Sequence, residues 1–180
     1  MRAEDASRSQ EEETIVKVLL INGSPRWKGN TNRALEEAAA ALEAEGVETE
    51  LVWIGNKEIR GCIACGICGK TGEKRCVFAE DCCNELIAKA AECDGFIVGS
   101  PVYYAGMAGL LRALMDRMFY AGGANFRFKP AAGVAVARRA GAIEAADQIN
   151  KYFQINCQPL VSSSYWNLSL IHISEPTRPY

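Results

Sequence analysis

From Thr14 to Ser163, short apolar runs alternate with longer stretches whose apolar residues recur at helical spacing. Thr14–Asn22, TIVKVLLIN, is apolar, rich in β-branched residues and closed by Gly23, which predicts a buried strand. The loop GSPRWKG follows. Asn30 or Thr31 can then cap a helix carrying Leu35, Ala38, Ala39 and Leu42 on one face, and Gly46 stops it. Val47–Ile54 returns to strand. Further along, Asp81–Cys93 predicts a helix, Gly95–Gly99 a short buried strand, and Met107–Tyr120 a helix with Leu110, Leu111, Leu114 and Met118 on one face. Ala131–Ala137 predicts a strand, Gly141–Phe153 a helix and Pro159–Ser163 a last strand. Five strands alternating with helices imply right-handed crossovers and a doubly wound, parallel α/β sandwich. Residues 14–167 form that domain, with residues 55–80 as a cysteine-rich excursion after the second strand. Residues 1–13 are polar and acidic and are expected to be a disordered leader.

Composition narrows the class. At 180 residues, 49% of them hydrophobic, the chain can bury one sizeable core. A net charge of −2 gives no field to draw it to nucleic acid or an anionic membrane, and no apolar run nears the roughly 20 residues of a membrane helix. The one histidine, His172, nearly excludes a Ser-His-Asp triad and zinc sites of mixed Cys/His type by counting. Eight cysteines with no signal peptide favour a reducing cytoplasm and a metal, redox or buried-thiol role.

Two loops carry the candidate chemistry. GSPRWKGNT, residues 23–31, joins the first strand to the first helix, where the helix start and its dipole favour an anion. Ser24, Arg26, Asn30 and Thr31 supply hydroxyl, guanidinium and amide donors. The P-loop and G-x-G-x-x-G fingerprints are both missing, so a mononucleotide phosphate fits better than a dinucleotide. The second loop, GSPVYYAGM at residues 99–107, sets Tyr103 and Tyr104 beside Ala105 and Gly106, which suits a flat heteroaromatic ring. The bland alternatives are a capped turn with Arg26 solvated, and a tyrosine that merely fills the core.

GSPRWKGNT, then GSPVYYAGM with LLRALMDR after it, resembles the NAD(P)H-dependent FMN reductase family of flavodoxin-like proteins, over about residues 15–167. The resemblance implies a five-stranded parallel sheet in the order 2-1-3-4-5 with FMN at its switch point. It implies that Ser24, Arg26, Asn30 and Thr31 hold the FMN phosphate, and that Pro101, Val102, Tyr103, Tyr104 and Gly106 line the isoalloxazine. The ARRAG loop, Ala137–Gly141, occupies the place of another ring-facing loop, although Arg138 and Arg139 equally suit solvated charges.

In the excursion, Cys62, Cys65 and Cys68 stand at C-x-x-C spacing, and Cys76 follows. Four thiolates so placed suit a [4Fe–4S] cluster; they also suit tetrahedral zinc or free redox thiols. The insert resembles that of iron-sulfur flavoproteins, which assigns all four cysteines to the cluster. Cys82 and Cys83 open a helix, whose N-terminus can lower a thiol pKa. Cys93 and Cys157 read as core thiols. No general acid or base stands out, and no catalytic side chain is assigned; Asp116 and Arg117 suit a solvated ion pair or an interface. Residues 168–178, LSLIHISEPTR, resemble a translated sequencing adapter, so residues 168–180 are expected to be non-native and the closing C-terminal helix missing.

The expected function is an FMN-dependent NAD(P)H oxidoreductase passing electrons to a small acceptor. The alternative is an iron-sulfur flavoprotein that carries electrons between redox proteins; a zinc-stabilised binding module is a third possibility. A cytoplasmic homodimer or homotetramer is expected, with neither nucleic acid nor membrane as a partner.

Overall fold

The structure is a computed structural model and describes residues 15–164 and 167–170. The expected leader, residues 1–13, lies outside those residues, as do residues 171–180 of the expected tail. Five strands form a parallel sheet in the order β2-β1-β3-β5-β6: β1 Lys17–Asn22, β2 Glu48–Trp53, β3 Gly95–Tyr103, β5 Ala131–Ala137 and β6 Leu168–Leu170. The helices are α1 Asn30–Ala44, α2 Ile67–Thr71, α3 Cys83–Glu92, α4 Gly109–Phe126 and α5 Ala142–Ile155. A two-residue strand, β4 Gly106–Met107, folds back antiparallel on the end of β3. In chain order of the parallel strands this is the expected 2-1-3-4-5 sheet.

Alternation along the central strands divides the core. Leu20 meets Leu35 and Ala39 of α1 on one face. Leu19, Ile21, Phe96 and Val98 point to the other face, where Leu86 of α3, Leu111, Leu114 and Met118 of α4, and Ile149 and Phe153 of α5 close over them. Both faces of β1 are therefore covered, which is why it reads as a continuous apolar run. Among the described residues α1 is the one helix on its face and no helix follows α5; Leu160 and Val161 stand exposed.

The short helix α2 and the strand β4 were not expected, and three of the expected elements end elsewhere than predicted. Helix α4 starts at Gly109 and continues past Tyr120, its expected end, through Gly122 and Gly123 to Phe126. A Cβ at Gly122 would sit 2.8 Å from Ile87 and 2.7 Å from Phe126, so the small residue is needed for close approach to α3. β3 runs on to Tyr103 because Tyr104 and Ala105, both at positive φ, make the tight turn into β4. The last strand is interrupted. Leu160 makes a single bridge to Ala131, and continuous pairing resumes only at Leu168–Leu170 against Ala135–Ala137. Asn167 closes the excursion between them, donating to the Val161 carbonyl at 3.1 Å and accepting from the Ser163 N–H at 3.1 Å. The strand expected at Pro159–Ser163 is thus reduced to its first residues, and residues 168–170 of the expected tail complete the sheet edge.

Candidate active site

β1 leads to β2 on one side, and its other neighbour in the sheet is β3. The order of connection therefore reverses at the carboxyl ends of β1 and β3, where an open α/β sheet binds its ligand. Both candidate loops leave the sheet there. Gly99 lets them converge: a Cβ on it would stand 2.9 Å from Leu35 and 3.0 Å from Thr31, so only glycine admits the start of α1 this close to β3.

The first loop is held by a buried polar relay. Asn22 accepts the Ser24 N–H at 2.9 Å and donates to Asn32 at 3.0 Å, and Asn32 donates to Glu36 at 2.6 Å. The Ser24 hydroxyl accepts the Arg26 N–H, and the Trp53 indole donates to the Ser24 carbonyl at 2.7 Å. The cap of α1 is Gly29 rather than Asn30 or Thr31, which fall inside the first turn. No side chain caps the helix and no acid stands in its first turn. The exposed cations Arg26 and Lys28 sit instead at this positive end of the dipole, an unfavourable placement that a bound anion reverses.

A cleft of about 800 Å³ opens over the loop. It brings together Ser24, Arg26, Asn30, Thr31, Pro101, Val102 and Tyr103. Tyr104, at the tip of the β3–β4 turn and fully exposed, and Gly106, packed by Gln148, stand outside its lining. Lys28, Val136 and Arg138 line it as well. The sequence reading passed over Lys28 and Val136: one reads as a surface charge, the other as sheet interior. Ser100, fully buried, ties the hairpin down by accepting the Ala108 N–H at 2.9 Å.

The excursion forms a second pocket of about 150 Å³. Cys62, Cys65, Cys68 and Cys76 all line it, with Phe78, Arg117 and Tyr120. None of the four is in a disulfide. Among the described residues no three His, Cys, Asp or Glu side chains converge as the ligands of a single metal ion do. Asn84 clamps the segment, accepting the Cys76 N–H and donating to the carbonyls of Cys76 and Phe78.

Arg117 corrects the sequence reading. It is 1% exposed, not solvated, and ion-pairs with Asp81. It also donates to the Phe78 carbonyl at 2.9 Å, the Arg60 carbonyl at 3.1 Å and Cys76 Sγ at 3.2 Å. Burial opposes ionisation of Asp81, but Arg117 and the N–H groups of Cys83 and Arg60 outweigh it and hold the carboxyl below its ordinary value. Asp116 takes the Tyr152 hydroxyl and is no partner of Arg117. Cys82 and Cys83 are not activated by the helix start: burial raises both thiols, Cys83 to about 12. Cys93 is buried as expected, whereas Cys157, in a turn at positive φ, is exposed.

A doubly wound parallel sheet with an uncapped helix start and an aromatic hairpin meeting at its switch point defines a flavodoxin-like protein. The chain belongs to the NADPH-dependent FMN reductase family, whose model matches residues 16–172; it is a flavoprotein oxidoreductase. It is 38% identical over 152 residues to an iron-sulfur flavoprotein of Methanocaldococcus jannaschii, covering 83% of this chain and 77% of that protein. An iron-sulfur flavoprotein of Methanosarcina thermophila is 32% identical over 145 residues, 78% of this chain and 74% of that protein. One from Archaeoglobus fulgidus is 40% identical over 103 residues, 57% of this chain and 46% of that protein, so this chain spans less than half that relative's length. The NAD(P)H:(acceptor) oxidoreductase of Paracoccus denitrificans shares the fold with a TM-score of 0.66 at 15% identity, covering 89% of this chain and 82% of that one. No helix among the described residues is long and apolar enough to cross a membrane.

Proposed function

We propose that the protein is an iron-sulfur flavoprotein oxidoreductase that takes electrons from a reduced donor, NAD(P)H or a low-potential redox protein, and delivers them to a small acceptor or a partner protein. The observation that carries this reading is the pairing of the two sites: an uncapped, cation-flanked helix start at the switch point, and four cysteines lining one pocket. When bound, FMN supplies exchange of electrons singly or in pairs, and a [4Fe–4S] cluster supplies single-electron exchange.

The chain's own residues bind and orient. Ser24, Arg26, Asn30 and Thr31 would hold the FMN phosphate, with Lys28 adding charge. Pro101, Val102 and Tyr103 would line the ring, with Tyr104 and Gly106 at its outer edge. The relay of Asn22, Ser24 and Asn32 fixes the phosphate donors before the ligand arrives, which lowers the ordering cost of binding. Cys62, Cys65, Cys68 and Cys76 would hold the cluster. Tetrahedral zinc requires its four sulfurs about 3.8 Å apart, from a bond length near 2.3 Å. The four cysteines line one pocket of about 150 Å³, a shared space in which an inorganic group could sit among them.

The carrier reading rests on the iron-sulfur flavoprotein relatives. The NAD(P)H reading rests on the family and on the basic rim of Arg26, Lys28 and Arg138. A homodimer or homotetramer is the assembly proposed, to be measured by light scattering. The test of the cysteine site is anaerobic reconstitution followed by iron and acid-labile sulfide analysis. About four of each per chain is expected; stoichiometric zinc without sulfide refutes the cluster.

A further inference from the structure

We propose that Arg117 sets the reduction potential of the cluster held by Cys76 and its three companions, and that Asp81 sets how much of its charge the cluster feels. The inference rests on the cluster reading above. Arg117 lies on α4, not on the excursion, and its side chain is completely buried beside a carboxylate that is 10% exposed. Three of its interactions, with the Arg60 and Phe78 carbonyls and with Asp81, suffice to anchor the loop. The fourth does something different. Its Nε–H points at the sulfur of Cys76, 3.2 Å away, and Arg117 lines the same 150 Å³ pocket as all four thiols.

A cluster held by four thiolates gains one negative charge on reduction, and no bond forms or breaks. A cation with an N–H on a ligand sulfur stabilises the more negative state, so it raises the potential. Asp81 opposes this, because its carboxylate cancels part of the guanidinium charge at the same point. The two residues therefore act with opposite sign, whereas a purely architectural pair would not. Lysine cannot replace arginine here, since the four interactions need a planar fork with donors in several directions.

The test is a mediator-based redox titration of the anaerobically reconstituted full chain, with the reduced cluster followed by electron paramagnetic resonance. Flavin affinity serves as the check on folding. Arg117→Gln should lower the potential, by about 59 mV for a tenfold smaller ratio of reduced to oxidised cluster in this one-electron couple. Asp81→Asn should raise it. If Arg117→Gln fails to keep a cluster, the sign of the Asp81→Asn shift decides: a rise supports the proposal, and no change or a fall overturns it. Equal potentials in all three proteins, or shifts of the same sign in both variants, also overturn it. If the unaltered protein takes up neither iron nor sulfide, the cluster reading falls and the proposal with it; a loaded parent with unshifted variants sinks the proposal alone.

Discussion

Replacing Asn22 by alanine removes the amide on which the β1–α1 loop is built. Asn22 is fully buried at the end of β1 and uses both ends of its side chain, accepting from the Ser24 N–H and donating to Asn32, itself 5% exposed. Alanine leaves a buried N–H and a buried amide oxygen without partners. Each orphaned group costs about 1–3 kcal/mol. A water entering the vacated space recovers part of that, so about 2–4 kcal/mol is the expected loss. For a domain this size, each kcal/mol lowers the melting temperature by about 2–4 °C. Urea unfolding of the flavin-free protein measures the loss as a lower midpoint at unchanged slope. Flavin affinity should fall too, because Ser24 loses the bond that sets its position. Asn22→Asp keeps the acceptor for Ser24 and lets Asn32 turn its amide, at the expense of Glu36, so it should cost less than alanine. A loss below about 0.5 kcal/mol in Asn22→Ala refutes the claim that this relay holds the loop.

Arg26→Ala and Thr31→Ala should each weaken FMN binding by about 1.5–3 kcal/mol, roughly 10- to 150-fold, in a flavin fluorescence titration; unchanged affinity in both means the loop does not hold phosphate. Alanine at Cys62, Cys65, Cys68 or Cys76 should abolish or disrupt iron and sulfide incorporation, while Cys93→Ala, in the core behind β3, should leave it intact. Lys89 and Lys17 hold the Glu50 carboxyl below its ordinary 4.5. Its stabilisation is therefore complete above that pH and lost as pH falls through the lowered value. The group is partly exposed, so at pH 7 Glu50→Gln should cost less than about 1 kcal/mol, and the difference from the parent should close as pH falls through the lowered carboxyl value, as read by urea unfolding. Cutting the chain after Asn167 removes β6 and the contact of Leu168 with Ala135 and Ala137. It should lower stability by about 1–2 kcal/mol, whereas grafting a helix over Leu160 and Val161 should raise it; a cut chain that melts with the parent shows that β6 contributes nothing.

The sheet was legible because each parallel strand is an apolar run and each helix carries one apolar stripe, so the periodicity and the α/β alternation agree. It failed where tertiary packing overrode local signals. Helix α4 runs past its expected end at Tyr120, where Gly122 allows close approach to Ile87 of α3. The hairpin at Tyr104–Ala105 uses residues with no special liking for positive φ, so nothing in their identity announced it. The cleft-facing donors were legible from loop position and chemistry. Their support was not: Asn22 and Asn32 are ten residues apart, and nothing in either residue signals the other. Arg117 was misread for a related reason. On the helix it looks like any surface arginine next to an aspartate, and only folding brings Asp81, Phe78 and Cys76 to it from 36 to 41 positions away.

The most direct test of the central claim is the identity and amount of flavin in the protein. After reconstitution, gel filtration and denaturation, chromatography of the released cofactor should give FMN at one per chain, since the proposed phosphate site at the uncapped start of α1 suits one terminal phosphate and the β1–α1 loop carries no G-x-G-x-x-G fingerprint for a pyrophosphate. Recovery of FAD alone, or of no flavin, contradicts the account.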